Sequence, residues 1–187
     1  MNTLKAEKRS MDVKAKKLRR EGFVTGNLFG REIEGSIPLK FTKKEIEVLL
    51  KNNNKGSQVM LELDGKTYDA LIKEVDYNPL AHTVEEVDFQ ALVSNEMVHS
   101  TAEIILENEE KVMSGVLQDE LKEVAYKALP ADLVDKIKVD VAGMKIGDTL
   151  RVKDLEIAKN KNIHITTDLE AVIATVTPVH NVVPETE

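Results

Sequence analysis

Two domains are expected from this sequence. The first is an α+β domain with a mixed sheet or barrel of about six strands and two helices; the second is all-β. Three observations predict them. Up to residue 94, six extended stretches are interrupted by two segments of helical period. From Asn95 onward, short strands recur between closely spaced turn signals, as in a sandwich or small barrel. The charge changes at the same place: residues 1–94 carry 16 Lys/Arg and 15 Asp/Glu, and residues 95–187 carry 10 and 18, which sums to −7. The boundaries are set at 1–94 and 95–178, with 179–187 as a flexible tail lacking an apolar period.

The elements follow in order. Residues 2–9 alternate as a strand, with Leu4 and Ala6 on one face. Residues 13–21 suit a short helix stopped by Gly22 at its C′ position, with only Val13, Ala15 and Leu18 able to face a core. Residues 23–29 are extended, 32–35 turn, and 36–41 form a strand with Pro38 at an edge or non-bonding position. Thr42 and Glu45 then form a capping box, Phe41 and Ile46 a hydrophobic staple, and Ile46, Leu49 and Leu50 a buried stripe. The strands 59–63 and 67–75 flank Asp64-Gly65, the dipeptide that a type I′ hairpin turn favours because both central residues take positive φ. Residues 76–81 read as a loop and 82–92 as the last strand of this domain. The second half reads as strands at 98–106, 112–118, 124–129, 137–141, 150–152, 163–165 and 171–176, with one helical turn within 130–135.

Composition excludes several classes. There is no Cys, hence no disulfide framework and no thiolate metal site. With no Trp, three Tyr and four Phe, the cores must be mostly Val, Ile and Leu. The first residues lack the apolar run of a signal peptide, and no window reaches membrane-span length, so a cytoplasmic protein without a membrane partner is expected. His82, His99, His164 and His180 have no partners at metal-ligand spacing, and no Gly-rich phosphate loop or nucleophile elbow is present. Glu85-Glu86-Val87-Asp88 gathers three carboxylates, with Glu86 and Asp88 on one strand face, but a solvated face explains them better than catalysis. Neither an enzyme, a cofactor nor a small-molecule substrate is expected.

The exception to the acidic balance is the first twenty residues, which hold eight Lys/Arg against two acids. Lys14, Lys16, Lys17, Arg19 and Arg20 fall within the predicted short helix. A solvated helix usually interleaves signs to form i,i+4 pairs, whereas this one has a single acid, Glu21, at its end. Concentrated like charge of this kind fits a polyanion, with Arg offering a fork of donors to phosphate and Lys a point charge.

Several runs, taken together, resemble a known family. They are Ala6-Glu7-Lys8-Arg9, Leu18-Arg19-Arg20-Glu21-Gly22-Phe23-Val24-Thr25-Gly26-Asn27-Leu28-Phe29-Gly30, Ile72-Lys73-Glu74-Val75-Asp76-Tyr77-Asn78-Pro79 and Val87-Asp88-Phe89. In the second half they continue with Gly115-Val116-Leu117, Ala128-Leu129-Pro130, Ile137-Lys138-Val139-Asp140-Val141, Ile146-Gly147-Asp148-Thr149-Leu150 and Asp154-Leu155. In order and spacing the chain resembles the bacterial large-subunit ribosomal proteins that bind 5S rRNA, in the long two-domain form of the general stress protein Ctc type. The resemblance implies a structural, ribosome-associated role, with the N-terminal domain on 5S rRNA at the central protuberance. Neighbouring ribosomal proteins would be within reach of the C-terminal domain.

By position, the resemblance makes Arg9, Arg19 and Arg20 RNA-contacting arginines, Lys14, Lys16 and Lys17 the basic segment, and Phe29 and Asp88 residues of local fit. Four positions depart from the pattern. Glu86 stands where the family has His, Asp76 where Gln is common, Phe29 where Tyr is usual, and Thr25 where Pro is usual. An anion facing phosphate opposes binding, so the sheet side of the clamp is expected to be weakened while its basic side stays intact. The competing class is a divergent, stress-related relative whose acidic β domain binds a protein partner.

Overall fold

The computed structural model describes residues 3–112 and 115–178. The predicted tail 179–187 and residues 113–114 of the predicted strand 112–118 lie outside the described residues.

A closed six-stranded barrel organises the first part of the chain. Its strands are β1 (Thr3–Lys8), β2 (Phe23–Phe29), β3 (Ser36–Thr42), β4 (Gln58–Leu63), β5 (Lys66–Asn78) and β6 (Thr83–Ala91). Around the barrel the order is β1-β3-β2-β6-β5-β4, closed by parallel pairing of β1 with β4. Period-two alternation drives the closure. Leu4 and Ala6, Val24 and Leu28, Leu39 and Phe41, Val59, Leu61 and Leu63, and Val87 and Phe89 all turn inward into one core. Phe41 and Phe89 meet there with ring centroids 5.4 Å apart and tilted by 55°. This bears out the α+β expectation, in its barrel form. Pro38 is not on an edge: β3 lies between β1 and β2, and the Pro38 carbonyl accepts from the Arg9 N–H at 2.9 Å.

Two helices accompany the barrel. α1 (Ala15–Arg20) is shorter than predicted and buries only Leu18; Gly22 beyond its end has φ +88°. Six residues make a marginal helix alone, so its position depends on side-chain ties to the barrel. α2 (Lys43–Leu50) has the predicted capping box: the Glu45 N–H donates to Thr42 Oγ1 and the Thr42 N–H to Glu45 Oε2. Ile46 and Leu49 are buried, and Leu50 is partly so. The Asp64-Gly65 turn has φ +51° and +77° at its two central residues, the type I′ pattern.

The first half of the expected loop 76–81 is strand, and only 79–81 turn. β5 runs to Asn78, whose Oδ1 accepts from the N–H groups of Leu80 and Ala81 and so makes the reversal in very few residues.

The later chain is rich in short strands, as expected. β7 (Val98–Glu107), β9 (Glu123–Ala128), β10 (Lys136–Asp140) and β12 (His164–Ile165) form one sheet, ordered β10-β7-β9-β12. β8 (Val116–Asp119), β11 (Thr149–Arg151) and β13 (Val172–Thr177) form another, ordered β11-β13-β8. β8 starts later than predicted because Gly115 sits at φ +92°, close against Thr177, after a 3₁₀ turn at Glu109–Lys111. Two further 3₁₀ turns, Val152–Asp154 and Glu156–Lys159, were not anticipated. By compactness the chain divides into two units, one reaching Thr101 with Lys127–Asp135, the other comprising Ala102–Tyr126 and the residues from Lys136 onward.

Candidate nucleic-acid interface

The basic segment divides into exposed and anchored cations. Lys14, Lys16, Lys17 and Arg20 are exposed, whereas Arg9 and Arg19 are half-buried. Lys17 reaches Glu21 at 3.9 Å, a solvated i,i+4 pair of little energetic weight. Lys14, Lys16 and Arg20 have no acidic partner among the described residues. Arg9 donates from Nη2 to the Val13 carbonyl at 3.2 Å, which ties the end of β1 to the segment entering α1.

Arg19 is held from three sides. Its Nε donates to the Glu85 carbonyl at 3.1 Å, Nη1 pairs with the Glu85 carboxylate at 3.2 Å, and Nη2 pairs with Glu86 Oε2 at 3.1 Å. Nη2 also lies 3.4 Å from the hydroxyl of buried Thr25. Two carboxylates from adjacent positions of one strand do not normally turn the same way. A β-bulge allows it here. Asp76 pairs with Glu86 and Tyr77 with Val84, which leaves Glu85 as the extra residue on β6.

The parallel pairing of β2 with β6 places Thr25 beside Glu86. One step along, Asp88 Oδ1 accepts from the Asn27 backbone N–H at 2.9 Å and from Asn27 Nδ2 at 3.0 Å. Asn27 Nδ2 also lies 3.4 Å from Glu86 Oε1, and Asn78 donates to Glu85 Oε1 at 2.7 Å. Asp88 thus anchors β6 to β2 through Asn27, and among the described residues no arginine partners it. On β5, Asp76 stands directly opposite Glu86 and Glu74 opposite Asp88, so these two pairs place four carboxylates on this outer face beside the bulged Glu85. Phe29 ends β2, half-buried, opposite Ser36 and Gln90.

The structure therefore brings Arg19, Glu86, Asp88 and the basic helix into one neighbourhood. A depression of about 400 Å³ lined by Lys16, Arg19, Arg20, Thr83 and Glu85 opens beside it. Sequence reasoning missed Glu85, Thr25 and Asn27 as structural partners. The tandem acids breaking the alternation of β6 were the available signal for a bulge. His82 does not join the carboxylates: its Nδ1 is 3.2 Å from the Tyr77 hydroxyl, and Glu86 and Asp88 are taken by Arg19 and Asn27. Among the described residues, no group of three or more His, Asp or Glu is placed to hold a metal.

Comparison with known proteins places this geometry in a family. Residues 4–89 match the Ribosomal L25p family, and residues 97–180 match the C-terminal domain of ribosomal protein TL5. The large ribosomal subunit protein bL25 of Carboxydothermus hydrogenoformans is 32% identical, with 97% of this chain and 94% of that protein covered. The chain belongs to the bL25 family. The bL25 protein of Bacillus velezensis is 30% identical, with 95% of this chain and 89% of the relative covered, and that of Akkermansia muciniphila is 31% identical, with 90% and 83% covered. The bL25 proteins are structural ribosomal proteins and not enzymes, in line with the expectation from sequence, and the two matches mark the long, two-domain bL25 form.

Proposed function

We propose that this chain is a structural constituent of the large ribosomal subunit that binds 5S rRNA at the central protuberance through residues 1–94. Residues 95–178 would form an all-β domain facing neighbouring ribosomal proteins. The observation that carries this reading is the array of exposed cations at Lys14, Lys16 and Arg20, with no acidic partner among the described residues, in an otherwise acidic chain of the bL25 family. The interface comprises Arg9, Lys14, Lys16, Lys17, Arg19, Arg20, Phe29 and Asp88.

The mechanism is binding without chemistry. An A-form RNA helix hides its base edges in a deep major groove, so shape, phosphates and 2′-hydroxyls are what a protein meets. The exposed Lys14, Lys16, Lys17 and Arg20 supply charge to phosphates; Arg9 ties the segment that carries them to the end of β1; Asp88 fixes β6 to the neighbouring β2 through Asn27; and Phe29 offers an apolar ring at the barrel end. The ribosome-bound chain is cytoplasmic.

A salt titration tests the reading. Affinity for 5S rRNA should fall steeply with salt, by roughly 0.7–0.9 in log–log slope for each phosphate contacted. Replacing Lys14, Lys16 and Arg20 together by Gln should lower that slope by about two to three. Equal affinity for 5S rRNA and an unrelated duplex at moderate salt would overturn the reading. So would failure of the protein to sediment with the large subunit in a sucrose gradient.

A further inference from the structure

We propose that Glu86, with Glu85, sets the RNA affinity of this surface from within the protein. Its carboxylate occupies the Arg19 guanidinium as an intramolecular stand-in for phosphate. The proposal rests on the RNA-binding reading above.

The geometry carries it. Arginine has no acceptor and presents a planar fork of N–H donors that fits carboxylate and phosphate oxygens alike. In Arg19 all three nitrogens are engaged, by the Glu85 carbonyl, the Glu85 carboxylate and the Glu86 carboxylate. Yet the site is not sealed: the Arg19 side chain keeps 30% of its exposure, and the depression it shares with Lys16 and Arg20 opens on to it. A phosphate drawn in by those two cations would meet a guanidinium already taken.

The latch also has a reason to stay closed. Glu86 lies directly opposite Asp76 on β5, and like charges so placed repel. Releasing Arg19 to RNA would leave Glu85, Glu86 and Asp76 clustered with no guanidinium among them. Arg19 is therefore kept by the acidic face, and the exposed lysines and Arg20 bear the phosphate contacts. Glu86→Gln keeps the shape and one acceptor but removes the charge, so Nη2 becomes available to an outside anion.

The test is a double-mutant cycle. The full chain, Glu86→Gln, Arg19→Gln and the double variant are titrated with 5S rRNA and with an unrelated RNA duplex across a salt series. Folding is checked by circular dichroism, and Glu85→Gln serves as a second charge-removing variant. Glu86→Gln should bind 5S rRNA roughly two- to fivefold tighter, the range of one partly exposed ion pair. Its salt slope should steepen by roughly 0.7–0.9, the signature of one added phosphate contact. Neither change should occur in the Arg19→Gln background. A gain that persists there would mean that Glu86 acts through space by its charge alone, and the proposal would be overturned. No gain in either glutamate variant would overturn it too. The duplex arm separates this failure from that of the functional reading. If the wild type shows no preference for 5S rRNA, the functional reading fails, while coupling of Arg19 to Glu86 on the duplex still decides the latch.

Discussion

The carbonyl oxygen of Val87 occupies the space where a Cβ on Gly26 would stand. The clash is with backbone, on β6, and the Phe41 ring lies 3.4 Å from the same point. Gly26 does not have positive φ, so its role is close approach: it lets β2 come near enough to β6 to pair in parallel. Gly26→Ala should therefore destabilise the barrel by about 3 kcal/mol or more, the upper range of overpacking. Urea unfolding followed by circular dichroism measures this. A loss below that of an ordinary surface substitution would show that the two strands can separate without cost.

Asn27 flanks Gly26 and holds Asp88 by both its backbone and its side-chain N–H groups. Asn27→Ala should cost about 1–2 kcal/mol, since it leaves the part-buried Asp88 carboxylate one charge-assisted bond short. Chemical denaturation of Asn27→Ala and Asp88→Asn, alone and combined, gives the coupling. Strictly additive losses would mean the two side chains do not act on each other.

Thr42 starts α2, and its hydroxyl receives the Glu45 N–H. Ile46 and Leu49 on this helix belong to the barrel core, so a weakened cap is felt by the whole first unit. Thr42→Ala should lower stability by about 1 kcal/mol, and Thr42→Ser should keep most of it. Midpoints of urea denaturation compare the three proteins.

Asp140, at the end of β10, accepts from the Ala142 N–H and from Asn108 Nδ2, each at 3.0 Å. The backbone hydrogen bond first, and the Asn108 bond second, hold its carboxyl below the usual aspartate range. A carboxyl with a folded value below its unfolded one stabilises the fold fully above the unfolded value. That contribution is lost as pH falls through the folded value. Asp140→Asn should flatten the acid limb of the stability curve and leave the alkaline limb unchanged. Thermal midpoints measured from neutral to acid pH check this; curves that stay parallel would exclude the linkage.

Much of the fold was legible because it is written in local chemistry. Leu4 and Ala6 on alternate positions of β1, the Thr42 and Glu45 box, and Asp64-Gly65 each act within a few residues, so a linear reading finds them. The continuation of β5 through Asn78 was hidden, since the Asn78-Pro79 signal marks a turn without saying how tight it is. The basic helix was visible as an imbalance of charge.

Which cations exist, and that they cluster in the segment 14–20, is a matter of residue order, because net local charge needs no fold. Residue order could not divide them. Lys14, Lys16 and Arg20 stay open to solvent, while Arg19 is captured 66 residues away in sequence by Glu85 and its neighbour. That division was decided by tertiary structure alone. Parallel pairing of β2 with β6 and the bulge at Glu85 bring two carboxylates to one guanidinium, and register across distant strands is a property of the closed barrel rather than of any local run.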